Sequence, residues 1–201
     1  MEFFKNIFKK KIKKTSLSDT DTEKSNFMPE VKKPTDDRFV NNFINNGGKF
    51  LYSETLNEAK KNLKLIFLEN SWDESNILCL DNNIKTHFDL NYSFNKVYTD
   101  NVNCLISSCE FLIGDDGSIL ISSNQVAETK LIDLPDDIII LAKTDQLINS
   151  ISEGLTGIKN KSEDIPSNIT NLKHFKKCTD KDFLSYGSSS KNLYLILIEN
   201  Q

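Results

Sequence analysis

Apolar residues along this chain gather into short blocks separated by polar stretches, and the spacing inside the blocks changes from one to the next. Phe39, Val40, Phe43 and Ile44 recur at three- and four-residue intervals, which puts them on one side of a helix. Asp36 and Asp37 offer capping chemistry at its start, and Gly47-Gly48 ends it. KFLY (49–52) reads as a short strand; Ser53 then opens a helix over 54–69, with Leu56, Ala59, Leu63 and Ile66 at helical spacing. NILCL (76–80) is a second strand, followed by a weaker helical or loop stretch carrying Ile84, Phe88 and Leu90.

The strongest signal is CLISSCEFLIGDDGSILISS (104–123), where strand-like runs flank Asp115-Asp116-Gly117. Aspartate–glycine is a favoured hairpin dipeptide, and Gly117 is expected at positive φ. DIIILA (137–142) is a buried-strand run, 146–158 has helical spacing through Leu147, Ile148, Ile151 and Leu155, and NLYLILI (192–198) is the last strand. Strands alternating with helices predict an α/β fold with a largely parallel sheet covered by helices. No repeat of fixed period is present.

Ahead of these elements, MEFFKNIFKKKIKK sets Phe4, Ile7, Phe8 and Ile12 beneath a lysine-rich face. The alternatives there are an amphipathic helix that docks on a membrane surface or a partner, and a solvated tail. Residues 15–34 are polar and end with Pro29 and Pro34, so 1–35 is expected to be a basic segment plus flexible linker and 36–201 the folded domain.

Composition supports one packed domain: 201 residues, 38% hydrophobic and 27% charged. The net charge of −4 is unevenly spread. Residues 1–14 hold six lysines and one glutamate, a net +5, so the remaining 19 basic and 28 acidic residues leave the rest at −9. An acidic body repels phosphate backbones, which argues against nucleic-acid binding by the domain. Cys79, Cys104, Cys109 and Cys178 form no CxxC pair and read as reduced thiols, so the expectation is a cytoplasmic protein with no metal site.

Few residues suggest chemistry. Asp115 is a candidate general base or electrostatic group, with a plain aspartate–glycine turn as the alternative. Asp116 is adjacent, so on an extended strand the two would point to opposite faces. Gly114 with Gly117, and Gly154 with Gly157, match no nucleotide-binding fingerprint, which leaves any cofactor unknown. In YGSSSK (186–191), Gly187 would let the backbone approach an anion, Ser188, Ser189 and Ser190 would donate, and Lys191 would add charge; a surface turn is the alternative. His87 and His174 stand apart from any nucleophile motif and read as polar-surface residues.

Taken together, NNGGKFLY, CEFLIGDDGSILISSNQ, LPDDIIILAKTDQLI, IPSNIT and YGSSSKNLYLILIE resemble the LUD-domain family, the lactate-utilisation protein C group. The resemblance implies a NagB/RpiA/CoA-transferase-like fold. It also implies an accessory role in bacterial oxidation of L-lactate to pyruvate, beside separate iron–sulfur subunits. The family's AETGT-like hairpin aligns with Asp115, Asp116, Gly117 and Ser118, which makes Asp115 the candidate functional acid and Asp116, Gly117 and Ser118 candidate ligands of a small anion. Where the family often carries a GPSRTADI-like stretch, this chain has NLKHFKKCTDKDF (171–183). A small-molecule enzyme of the same fold class using Asp115, and a divergent regulatory protein that docks on membranes, are the other two readings.

Overall fold

The computed structural model describes residues 33–90, 102–127, 129–161, 165–173, 175 and 191–200. The expectations for residues 1–14 and their linker, and for His174, Cys178, Gly187, Ser188, Ser189 and Ser190, lie outside the described residues.

The first helix, α1 (Thr35–Asn45), starts one residue before the two aspartates, with Asp36 and Asp37 in its first turn, where carboxylates oppose the helix dipole. It buries Phe39, Val40 and Phe43 but leaves Ile44 48% exposed, so the apolar stripe is narrower than its spacing predicts. Strand β1 (Lys49–Ser53) follows, then α2 (Leu56–Asn70). α2 begins later than expected because Ser53 still belongs to the ladder and Thr55 is the cap, its hydroxyl accepting from the Glu58 amide.

Next come β2 (Ile77–Cys79), α3 (Asn82–Phe88) and β3 (Cys104–Ser107). The 104–123 run then divides. Ser108–Glu110 carries the chain out of line with β3, and β4 (Phe111–Ile113) and β5 (Ser118–Ser122) form the expected hairpin around Gly117, which has φ +70. A short helix α4 (Ser123–Val126) leads towards β6 (Asp137–Lys143).

The expected helix over 146–158 is a composite. Thr144–Gln146 forms a single 3₁₀ turn, β7 (Leu147–Ile148) pairs in parallel with β4, and α5 runs over Ile151–Lys161. Two strand residues just ahead of a helix mimic helical spacing. β8 (Ile169–Leu172), which the apolar pattern does not announce, completes the hairpin sheet, and β9 (Asn192–Ile198) is the expected last strand.

β1, β9, β6, β3 and β2 lie side by side in that order, all parallel. This is the central parallel sheet flanked by helices that the sequence predicts. β7, β4, β5 and β8 make a second, mixed sheet. Alternation along the strands explains the layering. Leu193, Leu195, Leu197, Ile138, Ile140 and Ala142 join one core with Phe39 and Phe43 of α1 and with Leu112, Ile119 and Ile121 of the second sheet. Tyr194, Ile196, Ile139 and Leu141 point the other way, onto Ala59, Leu63, Ile66 and Phe67 of α2 and Ile84 and Phe88 of α3. The far side of the second sheet is covered by α5, through Ile158 against Phe111, Ile113 and Leu120. Because the central strands are buried on both faces, they read in sequence as continuous apolar runs.

Candidate functional site

In a parallel sheet every strand ends on the same edge, and loops leaving that edge are free to build a site. Here they enclose a cleft of about 660 Å³. β1 leads to Thr55 and Leu56; β2 leads to Asn83, Ile84, His87 and Phe88 on α3; β3 leads to Ser108 and Cys109; β6 ends in Leu141, Ala142 and Lys143 and continues to Asp145 and Gln146; β9 ends in Ile198, Glu199 and Asn200. All five strands of the central sheet thus contribute to one cleft with an apolar body and a small set of polar tips.

Beside the cleft the chain twice leaves the first sheet for the second, at 108–110 after β3 and at 144–146 after β6, and Ser108, Cys109, Asp145 and Gln146 of these crossings line it. Gln146 ties the two crossings together. Its Nε2 donates to the carbonyls of Cys109 (2.6 Å) and Glu110 (3.3 Å), and its Oε1 accepts from the Lys143 amide (2.7 Å). On the β9 side, the Tyr52 hydroxyl donates to Glu199 Oε2 (2.6 Å), while Asn200 Nδ2 donates to Asp145 Oδ2 (3.1 Å). Burial and the Glu199 carboxylate push the Tyr52 hydroxyl well above the ordinary phenol range, so it stays a donor. His87 Nδ1 is 2.7 Å from the Asn83 carbonyl oxygen one helical turn earlier. Lys143 is the one lysine or arginine among the lining residues, and its ammonium has no ion-pair partner among the described residues.

The Asp115–Ser118 turn and Lys191, the candidate site residues read from the sequence, are placed elsewhere, whereas His87 and Cys109 line the cleft. The Asp115–Ser118 turn docks on α1: Arg38 Nη1 donates to the Asp115 carboxylate, Asn42 Nδ2 to the carbonyls of Gly114 and Asp115 (3.1 Å each), and Asn46 Nδ2 to that of Asp116 (2.8 Å). Arg38 Nη2 also reaches Asn149 Oδ1 (2.7 Å), tying the turn to the segment before α5. Asp116 Oδ1 accepts from the Ser118 hydroxyl (2.5 Å) and amide (3.1 Å), and its Oδ2 faces Lys173 Nζ at 3.3 Å. Gly117 meets the α1 backbone so closely that a Cβ there would lie 2.3 Å from the Phe43 nitrogen. None of these four residues lines the cleft. Lys191 is buried, its ammonium donating to the Leu134 carbonyl (2.7 Å) and lying 3.3 Å from Asp136 Oδ1, at the amino-terminal end of β9.

Cys79, Cys104 and Cys109 are buried free thiols. Desolvation pushes Cys79 up to about 11 and Cys104 up to about 12, and raises Cys109 as well, so these sulfurs remain neutral and unreactive. Among the described residues no group of three or more His, Cys, Asp or Glu side chains converges as a metal site, and no helix is long and apolar enough to cross a membrane.

The cleft residues Lys143, Asp145, Gln146 and Glu199 were not singled out from the sequence, yet a signal for them was present. Each stands just after an apolar run that reads as a buried parallel strand, DIIILA or NLYLILI, which is where such sheets carry ligands.

Fold and cleft together define an α/β protein that presents a ligand-sized site at the carboxyl edge of a parallel sheet. The LUD domain family model matches residues 37–198, and the chain belongs to that family. The structure is similar to the crystal structure of a DUF162 family protein from Deinococcus radiodurans, with a TM-score of 0.57 at 12% identity, covering 83% of this chain and 96% of that one. No curated protein matches the chain.

Proposed function

We propose that this protein is an accessory component of an L-lactate oxidation system and that its carboxyl-edge cleft holds a small carboxylate of the 2-hydroxy or 2-oxo acid class. The LUD domain family is associated with lactate utilisation, which supplies the metabolic setting. The observation that carries the reading is Lys143: an ammonium without an ion-pair partner among the described residues, on the wall of a mostly apolar cleft fed by all five central strands. A carboxylate beside that ammonium gains a charge-assisted hydrogen bond, and the apolar lining suits a short carbon chain. The Asp115 turn is less suited to this task, since the carboxylates of both its aspartates already have partners in Arg38, Ser118 and Lys173. Electron transfer belongs, in this reading, to iron–sulfur partner subunits, because thiols held neutral by burial are poor cluster ligands.

Calorimetric titration of the full chain with L-lactate and pyruvate tests the ligand assignment. Replacing Lys143 with glutamine is expected to weaken binding about tenfold or more, the effect of losing a hydrogen bond to a charged group. Absence of binding by the parent protein at millimolar ligand would defeat the assignment. Growth on L-lactate of a strain deleted for its own protein, restored by the parent chain and not by Lys143→Gln, tests the accessory role.

A further inference from the structure

His87 occupies the wall that α3 contributes to the cleft. Its Nδ1 lies 2.7 Å from the Asn83 carbonyl oxygen. A carbonyl oxygen only accepts hydrogen bonds, so Nδ1 carries the proton of the neutral ring. Nε2 is then left with a lone pair and no hydrogen, and it meets no hydrogen-bond partner among the described residues. The backbone of α3 thereby fixes the chemical character of the ring atom left for a ligand: an acceptor.

That character separates two ligands of nearly identical shape. A 2-hydroxy acid offers a hydroxyl hydrogen to Nε2. A 2-oxo acid offers only oxygen lone pairs, which face the Nε2 lone pair without a proton between them. We propose that His87 makes the cleft selective for the hydroxy form of its ligand over the oxo form, an inference that rests on the carboxylate reading above and adds the group that recognises the neighbouring carbon. The Gln146 amide is occupied on both sides by backbone, while Glu199 and Asp145 each engage one carboxylate oxygen, with Tyr52 and Asn200, and keep the other as an acceptor; variants of His87 that leave both carboxylates in place isolate the ring's own share. Lys143 donates to either ligand and so does not distinguish them.

The consequence is a direction. A protein selective for the hydroxy form retains substrate of a two-electron oxidation and releases the oxo product.

The test is calorimetric titration of the full chain with L-lactate and with pyruvate at pH 8. The parent protein is expected to prefer lactate by about tenfold, the effect of one hydrogen bond that the oxo acid cannot make to the solvent-facing ring. Two variants separate a specific role from a general one. His87→Gln supplies an amide that both donates and accepts, so the preference should fall to within about threefold, chiefly because pyruvate binds better. His87→Phe keeps a ring and removes the acceptor, so lactate binding should drop to the pyruvate level. If the parent binds both acids equally, or if both variants retain its preference, the selectivity assignment is wrong while the carboxylate reading stands. If the parent binds neither acid, both fail together.

Discussion

Replacing Gly117 with alanine probes the joint between the hairpin and α1. The residue has φ +70, a conformation that costs an L-residue about 1–2 kcal/mol. The larger effect is steric. The added Cβ would lie 2.3 Å from the Phe43 nitrogen and 2.5 Å from the Asn42 carbonyl carbon, both backbone atoms of a helix that cannot yield by rotating a side chain. To regain ordinary contact the turn or the helix must move by about 1 Å, in an interior packed too densely to absorb it. That shift would stretch the Asn42 and Asn46 amide bonds to the turn carbonyls, now 2.8–3.1 Å, each worth about 0.5–1.5 kcal/mol. The combined loss is on the order of 3–5 kcal/mol, or about 10 °C in melting temperature for a domain of this size. Thermal unfolding followed by circular dichroism reads the change. An Asn46→Ala control, losing one bond to the turn, should cost only about 1 kcal/mol. A Gly117→Ala protein melting within about 2 °C of the parent would refute the close approach of turn and helix.

Ala127 has φ 54 and ψ −145, a region that glycine adopts freely and alanine only at a cost, so Ala127→Gly should stabilise by about 1 kcal/mol in urea unfolding. Gln146→Ala should destabilise by about 2 kcal/mol and also weaken lactate binding, because both chain crossings beside the cleft lose their tie; an unchanged affinity would mean that the crossings hold without it. Stability should fall as pH rises above 9: the folded state holds the Cys79 proton up to about 11 and the Cys104 proton up to about 12, while unfolded thiols release theirs near 9.0, so the unfolded state binds fewer protons in that window. Cys79→Ala should flatten this alkaline slope, and an unaltered slope would assign it to other groups.

The fold was legible wherever burial alone decides. DIIILA and NLYLILI are apolar on both faces because both faces of the central sheet are covered, and no other arrangement accommodates such runs in a short strand. Parts set by pairing were harder to read. Leu147 and Ile148 are strand residues only because Leu112 and Ile113 lie beside them, and Ile169–Leu172 is a strand only because β5 presents an open edge. The hairpin turn is legible at Gly117, whereas the partners of its acidic residues, Arg38 for Asp115 and Lys173 for Asp116, come from distant segments that a local pattern does not reveal. His87 carried no local signal, because its significance depends on four other strands delivering their ends to the same place.

The order of strands in the central sheet bears on how the protein is made. β1 leaves the ribosome first of the strands described, yet its one partner among the described residues is β9, which is synthesised almost last. β2, β3 and β6 can assemble in sequence as they emerge, whereas β1 must wait unpaired until β9 slots between it and β6. The closing step therefore joins the two ends of the domain at once, a long-range contact of the kind that slows folding and leaves a strand edge open to wrong partners meanwhile. A lesion in β9 would consequently strip two strands of their neighbour, and its effect should surface as failed maturation during synthesis more than as a lower melting point of the finished molecule.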